Sequence, residues 1–188
     1  MRWDRPPVHE TILSLPSWVV GRVEYDRGYA TDEERMRLAI RLAAENIANG
    51  TGGPFGAAVF ERGSGRLIAV GVDSVVRLNN STAHAEMLAL QLAQRRIASG
   101  DLAAAGHPAH ELFTTCAPCA MCLGAVHLSG VTRLVSAARR EDTTRQEPAT
   151  GTVAKDSSTR LRAHGIEIVE DLLRPEARAV LIDGASTP

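Results

Sequence analysis

In "TDEERMRLAIRLAAENIANG", residues 31–50, Met36, Ile40, Ala43 and Ile47 recur at helical spacing along one face. Thr31 and Glu34 stand in capping-box spacing and Gly50 is positioned to stop the element, so the pattern predicts a helix over 32–49. After the glycine-rich "GTGGPFG" the helical period is lost. "AAVFE" and "RLIAVGVDSVV" are β-rich runs joined by "RGSG", which reads as a hairpin. A second helical stretch runs from about Ala83 to Ser99. It is followed by the linker "GDLAAAGHPA", a short strand "HELFTT", a turn entering a helix in "CAPCAMCLGAVHLSG", and a strand "VTRLVSA". From Arg139 to Asp156 no period survives, which suggests a loop able to act as a lid. The tail alternates again: "SSTRLRAHG" is helical, "IEIVED" a strand and "RPEARAVLIDG" helical.

This alternation predicts an α/β fold, a three-layer α/β/α sandwich around a mixed sheet of about five strands. One domain is expected over residues 1–188. Residues 1–30 form an irregular N-terminal arm packing through Trp3, Trp18, Tyr25 and Tyr29, residues 139–156 an active-site loop, and residues 157–188 a C-terminal helix-strand-helix. A length of 188 residues with 44% hydrophobic residues suits one domain with a substantial core.

Composition narrows the partners. A formal net charge of −1 gives no electrostatic reason to expect nucleic acid or an anionic membrane surface. The cations are almost all arginine, with Lys155 as the sole lysine. No run approaches the roughly 18 apolar residues of a membrane helix. "MRWDRPPVHE" also lacks the apolar stretch of a signal peptide, so a soluble, cytoplasmic protein is expected. The three cysteines, Cys116, Cys119 and Cys122, crowd into "CAPCAMC". This is a poor disulfide framework and points instead to metal binding or catalysis.

Cys119 and Cys122 lie three residues apart behind Pro118. With Pro118 as the first helical residue, both thiols share one face at a helix N-terminus, whose free N–H groups favour thiolates. The spacing also fits a redox pair or two core thiols. In "TAHAEMLALQLAQ", residues 82–94, His84 and Glu86 open a helix that buries Met87, Leu88, Leu90 and Leu92; read alone, they are a polar cap. Taken together, His84, Cys119 and Cys122 offer one nitrogen and two sulfurs, the donor set zinc prefers, with a fourth position left for water. Two thiolates and a neutral imidazole cancel the charge of Zn²⁺. Residues two apart do not share a helical face, so Glu86 falls to an acid/base position beside the ion rather than to ligation.

His84-Ala85-Glu86 and Pro118-Cys119-Ala120-Met121-Cys122 match the H-x-E and P-C-x-x-C pattern of zinc-dependent base deaminases. With "GGPFGAAVFE", "APCAMCLGAV" and "VSAARREDT", residues 31–142 resemble the guanine deaminase branch of the cytidine deaminase-like family. That resemblance implies a cytidine deaminase-like fold, Zn²⁺ as cofactor and hydrolytic deamination of an aminated nucleobase or related heterocycle, a guanine-like one favoured, with ammonia release. It gives Glu86 every proton transfer and makes Phe55, Ala57, Asp73, Ala85, Asp142 and Glu147 substrate contacts. It also implies a homodimer, possibly with exchanged C-terminal segments.

The chain departs from that pattern in places that bear on substrate. Asp73 stands where similar enzymes carry an asparagine that holds the base, and an ionised aspartate only accepts hydrogen bonds. The loop "TTRQEPATG" lacks the usual glycine, aromatic and acid, leaving Glu147 as the acidic candidate. No aromatic follows Phe113 to close the pocket. His127 could line the site or be a partly buried polar residue. A nucleoside, cytosine or specialised-metabolite base deaminase is the alternative within the class. An RNA adenosine editor would need a basic surface where this chain offers scattered arginines such as Arg133, Arg139 and Arg140. A structural zinc module would take Cys116 as fourth ligand and leave Glu86 unexplained.

Overall fold

The computed structural model describes residues 9–25, 27–143 and 159–185. Its elements run α1 (Asp32–Ala48), β1 (Gly56–Glu61), β2 (Leu67–Val72), α2 (Val75–Leu78), α3 (Ala85–Arg96), β3 (His110–Cys116), α4 (Ala120–Ser129), β4 (Arg133–Ala138), α5 (159–163), β5 (Glu167–Val169) and α6 (Arg174–Ala185). Short 3₁₀ turns occupy Ser17–Gly21 and Arg140–Asp142.

The five strands form one mixed sheet in the order β2-β1-β3-β4-β5. β1 pairs antiparallel with β2 and β3, while β3–β4 and β4–β5 are parallel. The expected sandwich is therefore observed. Alternate residues of β1 serve opposite layers: Ala58 and Phe60 join the core beneath α1 and α6, and Ala57 and Val59 the core beneath α3 and α4. Because helices cover both faces, β2 is buried along its whole length and reads as a continuous apolar run. Tyr29, Phe60 and Phe113 stack edge to face through the first core, at 5.3 and 5.5 Å.

Thr31 caps α1, its Oγ1 accepting from the Glu34 amide at 3.2 Å. The return contact of Glu34 goes to the Ala30 amide, one residue earlier than a capping box requires. Gly50 ends the helix at φ +62°. The second β-run is shorter than expected. β2 stops at Val72, and the β-branched Val75 and Val76 lie in the one-turn α2, where the Asp73 carboxylate receives the Val75 amide at 3.3 Å. The N-terminal arm packs as anticipated through Trp18, Tyr25 and Tyr29, whereas Trp3 lies outside the described residues.

Register brings four chain segments to one end of the sheet. Gly56 at the start of β1 pairs with Val72 at the end of β2, Ala57 pairs with Thr114 near the end of β3, and Cys116 with Ala138 at the end of β4. Crevices outside the carboxyl ends of parallel strands are the usual ligand sites of α/β sheets. Close packing sets the helices above this end. A β-carbon on Gly71 would sit 2.0 Å from the Ala85 carbonyl, and one on Gly56 would sit 2.3 Å from that of Ala39. The missing side chain in β2 thus seats the first turn of α3 directly on the strand.

Candidate metal centre and active site

Two helices open at the same place. His84 is the N-cap of α3 (φ −69°, ψ 158°) and Cys119 the N-cap of α4 (φ −74°, ψ 171°), while Cys122 lies on the first turn of α4. Pro118 is accordingly outside the helix, not its first residue, and its fixed φ serves the extended approach to the cap. The ring nitrogen facing the sulfurs is Nδ1. His84 Nδ1 lies 3.7 Å from Cys119 Sγ and 3.6 Å from Cys122 Sγ, and the sulfurs are 3.5 Å apart. A tetrahedral zinc ion with about 2.3 Å bonds to sulfur and about 2.0 Å to nitrogen needs sulfurs about 3.8 Å apart and sulfur–nitrogen separations of about 3.5 Å. The three donors fit it. They are the only His/Cys/Asp/Glu group suited to a metal ion among the described residues.

The electrostatics favour a cation. Cys119 is pushed down to about 3 by the hydrogen bond from Cys122, with burial opposing and His84 adding to the effect. Cys122 moves up because it donates that bond and is buried. His84 is raised, chiefly through its bond to Cys119. A divalent ion would deprotonate Cys122 as well, since coordinating thiols bind as thiolates.

Glu86, on the first turn of α3, is 7% exposed. Its carboxyl lies beside Cys122, and burial raises its pKa, against its own backbone amide and the His84 charge. It is a buried carboxyl group beside the donor set, whose protonated form burial favours. Cys116 takes no part in the cluster. Its thiol donates toward the Arg139 carbonyl at 3.6 Å, so the fourth ligand of a structural module is missing.

Among the residues expected to contact substrate, Phe55 is half-buried and bridges both cores beside the glycine-rich loop. Ala57 and Ala85 are wholly buried, backbone included. Asp73 follows β2, facing the loop, with Oδ1 accepting from the Gly53 amide at 3.3 Å.

The Asp142 carboxylate accepts from the Arg139 amide at 2.9 Å and from Arg174 at 2.8 and 2.9 Å, and so fastens the end of β4 to α6. Glu147 lies outside the described residues. His127 is exposed on α4, its ring 4.6 Å from that of His164, and not at the metal centre.

The bond to Arg174 pushes Asp142 down to about 2. A carboxylate depressed in the folded state adds stability above its unfolded pKa, about 3.9, and loses that contribution as pH falls through the folded value. Denaturant titrations should therefore show Asp142→Asn losing less stability than the parent between about pH 4 and pH 2.

Sequence reading missed Asn46. Wholly buried on α1, its amide donates to the Gly53 and Asp73 carbonyls, each at 2.9 Å, while Oδ1 accepts from Thr51 at 2.7 Å. Trp18 Nε1 donates to the same Thr51 at 3.0 Å, so the arm and α1 together hold the glycine-rich loop. The available signal was an amide beside the apolar positions Ala43 and Ile47.

The model of the cytidine and deoxycytidylate deaminase zinc-binding region matches residues 29–138, which contain both motifs and the donor cluster. The chain belongs to this family. Guanine deaminase of Bacillus subtilis (strain 168) is 36% identical over 110 residues, covering 58% of this chain and 66% of that enzyme. A tRNA-specific adenosine deaminase of Buchnera aphidicola subsp. Schizaphis graminum (strain Sg) is 38% identical over 112 residues, 59% of this chain and 68% of the relative. Among solved structures, guanine deaminase from Nitrosomonas europaea superposes with a TM-score of 0.87 at 42% identity, covering 95% of this chain and 98% of that one. This deaminase-family likeness thus extends to the N-terminal arm and the C-terminal helix.

Proposed function

We propose that the chain is a zinc-dependent aminohydrolase that removes an exocyclic amine, as ammonia, from a small guanine-like heterocycle. The observation that carries this reading is the meeting of His84 Nδ1, Cys119 Sγ and Cys122 Sγ with the buried Glu86 carboxyl at one end of the sheet. His84, Cys119 and Cys122 would hold the ion. When bound, zinc supplies Lewis acidity that makes water a nucleophile near neutral pH.

The protein's own groups do the rest. The Glu86 carboxylate takes a proton from the attacking water, delivers it to the ring nitrogen adjacent to the amine-bearing carbon, and afterwards returns one to the departing nitrogen. Burial raises its pKa toward the working pH, so one group can both accept and donate. Phe55 and the loop pinned by Asn46 would cradle the ring. The guanine deaminase relatives support a free base, and the charge of −1 weighs against the phosphate contacts an RNA substrate requires.

The same reading carries a role in cytoplasmic nucleobase turnover and a homodimer. Exposed Val76, Leu128 and Ile182 are available for subunit contact. No helix among the described residues is long and apolar enough to cross a membrane. A panel of guanine, cytosine, adenine, their nucleosides, pterins and aminotriazines, scored by ammonia release, tests the assignment. A guanine-like base should be turned over fastest, and fastest turnover of a nucleoside or of cytosine would overturn that preference.

A further inference from the structure

Asp73 is held in one orientation. Its amide donates to the Phe55 carbonyl at 3.0 Å and its carbonyl accepts from Asn46 at 2.9 Å, fixing the backbone from both sides. The side chain is 4% exposed, and Oδ1 accepts from the Gly53 and Val75 amides, each at 3.3 Å. Among the described residues no group donates to Oδ2. The next residue, Ser74, donates its amide to the Ala83 carbonyl at 2.9 Å, which lays this segment alongside the one that presents His84.

Two backbone amides thus decide which oxygen is taken and which remains. With asparagine at this position the same amides would hold Oδ1 and leave an NH₂ donor free. Aspartate leaves an acceptor in the same place, with no change of shape. A ligand carbonyl set against that oxygen would bring two acceptors together in a closed site, whereas an amino or ring N–H group would be bound. Groups left unpaired in such a site discriminate strongly.

We propose that Asp73 sets the substrate class, its free Oδ2 accepting a hydrogen from a second amino group carried where guanine carries its carbonyl. The inference rests on the deaminase reading above. The reaction is unchanged: the ring C–N bond of the other amine breaks and a C–O bond to water forms, with one water proton left on the adjacent ring nitrogen and the other carried away in ammonia. Because the amine bound by Asp73 is not the one expelled, it survives in the product.

The test compares kcat/KM for ammonia release from 2,6-diaminopurine and from guanine, using zinc-loaded parent and Asp73→Asn proteins of matched zinc content. The parent should favour diaminopurine by at least about tenfold, and Asp73→Asn should reverse the preference. Chromatography should identify the product as isoguanine, with the 6-amino group retained. A parent that favours guanine, an unchanged ratio in Asp73→Asn, or guanine as the product would each overturn the proposal while leaving the deaminase reading intact. If Asp73→Asn fails to fold, the parent's ratio and product still decide. The absence of ammonia from either base and from the wider panel would instead defeat the deaminase reading.

Discussion

Glu86→Gln should retain zinc and fold yet turn over substrate at least about 100-fold more slowly, because the amide can neither take a proton from water nor return one to the leaving nitrogen. The substitution preserves volume in a site where the residue is 7% exposed, so neither a cavity nor overpacking accompanies the chemical change. General acid/base groups contribute about 10²- to 10⁴-fold. In the proposed reaction Glu86 serves more than one transfer, which puts the expected loss at the upper end. Single-turnover rates and zinc content, measured on the same preparation, check this. A Gln variant with one zinc per chain and near-parental turnover would remove Glu86 from the mechanism.

Cys122→Ser should do damage of another kind. Cys122 is wholly buried and contributes one of only two sulfurs to the donor set. Changes to groups that merely orient a ligand cost about 10- to 100-fold in metal affinity, so replacing a thiolate itself should cost more than about 100-fold. Activity should then follow occupancy and recover partly with added zinc. Stability should move too. An ion present at about 1,000 times its Kd contributes about 4 kcal/mol to the folded state, and the variant should lose most of that. Differential scanning with and without a chelator separates the two proteins: the parent's Tm should fall on chelation and the variant's should barely change. The same shift in both would place the bound metal elsewhere.

The chemistry of the site was readable in the sequence because it is local. His84 and Glu86 are two residues apart and Cys119 and Cys122 three, and each pair opens a helix, the first of them with an apolar period that could be seen. The alternation of periods likewise anticipated the mixed sheet. What escaped depends on register and long-range contact. Val75 and Val76 read as strand because β-branched residues favour it, yet the Asp73 carboxylate and a turn of backbone bonds made a helix of them. Asn46 looks like one more residue of α1 until the sheet places Gly53 and Asp73 within its reach. The motif around Asp142 gave no sign that Arg174, 32 residues away, binds both its oxygens. Pro118 suited the first position of α4, and the chain used Cys119 as cap instead.

Ammonia release should depend on one zinc ion held by His84, Cys119 and Cys122. The most direct test titrates metal-free protein with Zn²⁺ and follows ammonia release from the best base of the panel. The rate should rise in proportion to bound zinc and level off at one equivalent per chain. Full turnover without zinc, or no ammonia at one equivalent, would contradict the account.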